Sequence, residues 1–195
     1  AMGMALAGTW GQTLALAALF TAVAGGAMLA VARLQRPTRG ALLLSCAFIM
    51  LTMLARVSML DYVTADYTSF LSKWVELFRE GGFKTLGQNV GDYNLLYQYV
   101  LLLIAQTPLH DLYLIKLFTV IFDYALAIAM MRAAGYFAGE KAALPVMMLV
   151  CALPTTLIDG ACWGQCDTVY AFLVVMSLYW MKTKKPVRAA VMLSL

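Results

Sequence analysis

Asp61 and Asp66 bracket a short polar segment, DYVTAD, that follows directly on the apolar run Ala41 to Leu60. A carboxylate held at the end of a membrane helix can take a proton from a hydroxyl, a service that contributes about 10²- to 10⁴-fold to a reaction rate. The wider stretch Asp61 to Asn94 reads DYVTADYTSFLSKWVELFREGGFKTLGQNVGDYN and gathers carboxylates, aromatics and amides in a chain otherwise rich in Ala, Leu, Val and Met. Lys116, Asp159, Trp163, Gln165 and Asp167 extend the same chemistry into later segments. A lysine there suits an anionic leaving group such as phosphate, and the aromatic rings suit a sugar or an apolar chain. The plain alternative is a solvated loop, with Lys116 snorkelling to the interface. Asp123 resists that alternative. It lies on the helix face of Lys116, about 10 Å deeper, and an intramembrane carboxylate is costly unless paired or functional. Arg56 is its possible partner.

The elements that must position these residues are membrane helices. Of the chain, 63% is hydrophobic and 12% charged, and the mean hydropathy is +0.81, which excludes an ordinary soluble domain. The four cysteines sit mainly in apolar runs, His110 has no companion at metal-ligand spacing, and no phosphate-binding glycine loop or nucleic-acid motif is present. No metal or other cofactor is therefore assigned, although a divalent ion is left open.

Five crossings are expected, near residues 9–32, 41–60, 112–132, 142–158 and 168–181. In the first, Ala18, Ala22, Gly26 and Ala30 make a small-residue stripe that would admit a neighbouring helix closely. The segment 61–111 forms one large loop with two in-plane helices. Thr68 to Glu80 is amphipathic, with Phe70, Leu71, Trp74, Leu77 and Phe78 as its apolar face. Tyr93 to Thr107 reaches only about 22 Å, too short to cross comfortably.

The charges agree with this layout. Arg33, Arg36, Arg39, Arg132, Lys141, Lys182, Lys184, Lys185 and Arg188 fall on one side, nine of the fourteen basic residues, while eight of the ten acids fall on the other. By the positive-inside rule the acidic side is extracytoplasmic. Val187 to Leu195 opens a further apolar run, so 1–195 is expected to be a single membrane domain and the N-terminal part of a longer protein.

Four motifs in order carry a resemblance: ADYTSFLSKW, GDYNLLYQY, IKLFTVIFD and WGQCDTVYAFLVVMSLYW. Together they resemble the integral-membrane GT-C glycosyltransferases, and more narrowly the bacterial relatives of GPI-anchor mannosyltransferases. The likeness covers roughly Asp61 to Lys185 and departs from the family at Leu95 and Leu96, where a proline pair is usual. It implies an all-α, polytopic transmembrane bundle of the bacterial cytoplasmic membrane, with interfacial helices in the first large extracytoplasmic loop. It also implies transfer of a sugar from a polyprenyl-phosphate carrier to a glycan, lipid or protein acceptor. Asp66 matches the family's catalytic carboxylate, and substrate contacts are expected from Asp61, Tyr67, Trp74, Asp92, Tyr93, Asn94, Lys116, Trp163, Gln165 and Asp167. Two other readings compete. One is a lipid-linked-sugar transporter using Asp123 and Arg56 as a relay, the other a non-catalytic assembly subunit.

Overall fold

A computed structural model describes residues 8–88, 90, 91 and 93–195, and these are all-helical, with no strand among them. Trp10–Gln35 (α1) is opened by a capping box, in which Thr9 accepts from the Gln12 amide and the Gln12 side chain accepts from the Thr9 amide. A turn with Arg36 in the left-handed region leads into Arg39–Ser58 (α2), capped by Thr38. A π-helical turn, Tyr67–Leu71, runs into Ser72–Gly81 (α3), and Leu95–Ala105 (α4) starts at Asn94. Asp111–Ala138 (α5) is the central helix and packs against α1, α4, α6 and α7. Glu140–Ala152 (α6), a π-helical segment Thr156–Trp163, Asp167–Lys182 (α7) and Pro186–Ser194 (α8) complete the chain.

Three helices, α1, α2 and α5, are long and apolar enough to cross a bilayer, which makes this an integral membrane protein. A fourth span exists if α6 and the π-helical segment are taken together, bent by 43°. The break has a local cause: Leu153, preceding Pro154, is forced out of the helical region to ψ 129. α7, expected as a crossing, has 16 residues and reaches about 24 Å, short of a 30 Å core. The two helices of the 61–111 loop are present as α3 and α4.

Two expectations about packing are corrected. Of the stripe, Ala18, Ala22 and Gly26 are exposed and Ala30 is half-buried, so it does not form the contact within this bundle; α1 instead buries Leu16, Phe20, Ala24, Ala27 and Val31. In the loop, the buried stripe is Leu71, Val75 and Phe78, while Phe70 and Leu77 are exposed. Tyr67, Leu71, Val75 and Phe78 still recur at the spacing of one helical stripe, but that stripe centres on Val75 and leaves Phe70 and Leu77 to one side.

The bundle has two chemically different ends. Gln12 reaches the Pro108 carbonyl, Tyr67 donates to Asp111, and Lys116 bonds the chain just past α2, so one end holds Asp61, Asp66, Asp111 and the 61–111 loop. Arg132 reaches Tyr179 and Tyr136 reaches the Lys182 carbonyl at the other end, which holds the basic residues.

Between the ends lies a fully buried ion pair. Arg56 Nε meets Asp123 Oδ2 at 3.0 Å, and Arg56 Nη1 also donates to the carbonyls of Thr52 and Cys151. Tyr124 lies under the guanidinium, 5.0 Å from ring centre to Cζ. On the far side of Asp123, Gly160 comes so near that a Cβ there would stand 2.7 Å from Oδ2. One residue from each of α2 and α5 thus fixes the end of α6 and the segment beyond it.

Removing one partner leaves a buried charge alone, so Asp123→Ala is expected to lower stability by about 3–5 kcal/mol. The double replacement Arg56→Met, Asp123→Leu should recover most of that loss. Thermal unfolding of the detergent-solubilised protein checks both; a double variant no more stable than Asp123→Ala would refute the pairing.

Candidate functional site

Asp66 sits at the head of the π-helical turn Tyr67–Leu71, where the Thr64 hydroxyl accepts from the Tyr67 amide and starts the helix. Its Oδ2 accepts two hydrogen bonds, from Trp163 Nε1 at 2.6 Å and from Gln165 Nε2 at 3.0 Å. The oxygen of the same amide, Gln165 Oε1, accepts from the Tyr93 hydroxyl at 3.0 Å. Tyr93 can donate only to an acceptor, so it fixes the amide with its nitrogen toward Asp66. Asp66 Oδ1 has no hydrogen-bond partner among the described residues.

The turn that delivers Trp163 and Gln165 depends on Gly164. Its φ of 82° is left-handed, and its amide folds back on the carbonyls of Asp159 and Gly160 while the Gln165 amide also reaches Asp159. Residues 163 and 165 thereby flank a reversal and both reach one carboxylate. A side chain at position 164 would impose strain on the turn.

Asp66 opens on a cavity of about 320 Å³ lined by Phe70, Leu71, Trp74, Tyr93 and Gln165. Its aromatic wall is continuous with the interior. Trp74 meets Tyr93 edge-on at 5.7 Å, Tyr93 meets Tyr97 at 4.8 Å, and Tyr97 meets Phe118 of α5 at 6.1 Å. Burial, reinforced by Cys166 and Asp167, pushes the Tyr93 phenol up to about 12, so it remains a donor at neutral pH. The arrangement is one of a carboxylate with one oxygen held by two donors and the other available to a ligand, beside rings that suit a sugar face or an apolar chain.

The other expected contacts divide. Trp74, Tyr93, Trp163 and Gln165 join Asp66. Asp61 instead accepts from Tyr113 at 2.6 Å, and Tyr67 is buried and donates to Asp111 at 2.9 Å. Burial and the Asp111 carboxylate both raise the Tyr67 phenol. Asn94 caps α4 by accepting from the Tyr97 amide, and Asp167 lies across Trp163 in a second, larger groove. Asp92 lies outside the described residues.

Lys116 does not snorkel. It is fully buried, and Nζ donates to the carbonyls of Met59, Leu60 and Tyr62 at 3.2, 2.9 and 2.7 Å. All three of its protons are committed to the chain leaving α2, where helix-end carbonyls lack partners. Phosphate binding by this ammonium is not carried forward.

Sequence reasoning placed Phe70 and Leu71 on the apolar face of an in-plane helix and not in the site, because neither carries a polar group that would single it out. Among the described residues no group of three or more His, Cys, Asp or Glu converges as for a metal ion, and no Lys or Arg lines the Asp66 cavity. No family model, curated protein or solved structure matches the chain.

Gln165→Leu removes a donor to Asp66 and also strands the Tyr93 hydroxyl, so it is expected to cost about 1–3 kcal/mol of stability, against about 1 for Tyr93→Phe. The raised Tyr93 value means that the phenol's contribution is complete below its ordinary 10.0 and declines only as pH climbs toward about 12. Unfolding midpoints should therefore show a gap between wild type and Tyr93→Phe that is flat through neutrality. A gap that narrows between neutral pH and 10.0 would contradict this.

Proposed function

We propose that this chain carries the catalytic end of a glycosyltransferase that takes its sugar from a polyprenyl-phosphate carrier, with Asp66 as general base. The observation behind the reading is convergence: residues 97 and 99 positions away, Trp163 and Gln165, donate to the single carboxylate of the ADY motif, and Tyr93 of the DYN motif completes the set. Three of the four stretches that resemble GT-C enzymes thus share one cavity.

In this reading the acceptor hydroxyl lies against Asp66 Oδ1. As its oxygen attacks the anomeric carbon, the proton passes to Asp66 and the bond from that carbon to the phosphate oxygen breaks, the electron pair leaving with the phosphate. Trp163 and Gln165 hold the base in one orientation, which limits the reorganisation needed at the moment of transfer. Trp74 and Tyr93 offer ring faces to the sugar. The acidic end would face away from the cytoplasm, as the charge split between the two ends favours. A transporter using Arg56 and Asp123 is favoured less, since that pair is fully buried and bonded to three elements.

Asp66→Asn keeps the shape and removes the base. In the full-length protein reconstituted with a polyprenyl-phosphate sugar, turnover should fall about 10²- to 10⁴-fold with donor binding nearly unchanged. Asp61→Asn still accepts from Tyr113 and should be much milder. Normal turnover by Asp66→Asn would sink the assignment.

A further inference from the structure

The larger groove, about 600 Å³, lies between α5, the break after α6 and the start of α7. Trp163 belongs to its wall and at the same time donates to Asp66, so the groove and the Asp66 cavity meet at one indole. Leu126, Leu153, Pro154, Ile158 and Ala171 make most of its surface apolar. Its charged part is of one sign. Asp159 and Asp167 also line it, in hydrogen-bond contact with each other, and among the described residues no Lys or Arg lines it. Thr168, 6% exposed, belongs to the same wall, and its hydroxyl lies beside the Asp123 carboxylate.

We infer that this groove holds the acceptor, an amphiphile with an apolar chain and an uncharged polyhydroxyl head, and that the phosphate-bearing donor does not enter it. The inference rests on the glycosyltransferase reading and assigns its second substrate. An acidic pair without a counter-cation disfavours a phosphate beside it by like-charge repulsion. The same carboxylates accept hydrogen bonds from sugar hydroxyls, and an apolar trough with a few convergent polar groups is the usual form of a small-molecule site. A head group at the Asp159, Trp163 and Asp167 end lies against the indole that donates to Asp66. The donor is left the aromatic cavity lined by Trp74 and Tyr93.

The test uses the full-length protein in nanodiscs and two probes with the same diazirine-bearing alkyl chain, one an alkyl glucoside and the other an alkyl phosphate. The glucoside should label residues of the groove. Ala171→Trp or Ile158→Trp, each of which fills the trough, should reduce that labelling about tenfold, the change that corresponds to about 1.4 kcal/mol of binding. The alkyl phosphate should label the groove weakly in the wild type and gain in Asp159→Asn, Asp167→Asn. Equal labelling by both probes in the wild type, or glucoside labelling indifferent to both tryptophan variants, overturns the inference. Asp66→Asn should label normally. Loss of the catalytic reading would thus appear in turnover alone, and loss of the acceptor groove in labelling alone.

Discussion

The ion pair between Arg56 and Asp123 is the constraint on which the rest of the bundle depends. Both side chains are fully buried, and an isolated charge in such a place would be prohibitive. The pair is viable because it is also bonded elsewhere, with Arg56 reaching the Thr52 and Cys151 carbonyls and resting on Tyr124. Those extra bonds convert an electrostatic necessity into geometry. α2 must lie against α5, and α6 must end where its Cys151 carbonyl meets the guanidinium. The chain beyond must then pass Asp123 at the distance only Gly160 permits.

Lys116 repeats this logic two turns nearer the acidic end. Among the described residues its ammonium has no carboxylate in hydrogen-bond contact, and it is satisfied by three carbonyls of the chain leaving α2. Together the two buried cations determine where the chain emerges from α2 and where it turns between α6 and α7. Asp66 follows the first point by a few residues, and Trp163 and Gln165 occupy the second. The convergence at Asp66 is therefore a consequence of packing deeper in the bundle, while the Gly164 turn and the ring contact of Trp74 with Tyr93 refine it locally.

Much of this was legible in the residues. Composition and apolar run length give the membrane helices, and the distribution of Lys and Arg anticipates the two ends. The cost of a buried carboxylate points to Asp123 needing a partner, and Arg56 is that partner. The order of ADY, DYN and WGQ stretches named the residues that meet, although neither their spacing nor their polarity reveals that Trp163 and Gln165 share one oxygen. What was not legible has physical causes. Phe70, Trp74 and Leu77 weight the apolar face of the loop helix toward one side, but packing against α4 and α5 selects Leu71, Val75 and Phe78. Lys116 has the composition of a snorkelling residue, and only the placement of the α2 carbonyls turns it inward. Small residues in α1 suggest an interface, yet α1 buries Leu16, Phe20 and Val31, whose side chains offer more apolar area to α5 and α2.

The central claim is that Asp66 and Gln165 meet in the folded protein. It is tested most directly by placing cysteines at positions 66 and 165 of the full-length protein, in a background without native cysteines, and treating intact membranes with a short bifunctional thiol reagent. The account predicts efficient crosslinking of this pair, and none when position 66 is paired with position 182 at the basic end. Failure of the 66–165 pair to crosslink, with each cysteine reactive on its own, would contradict it.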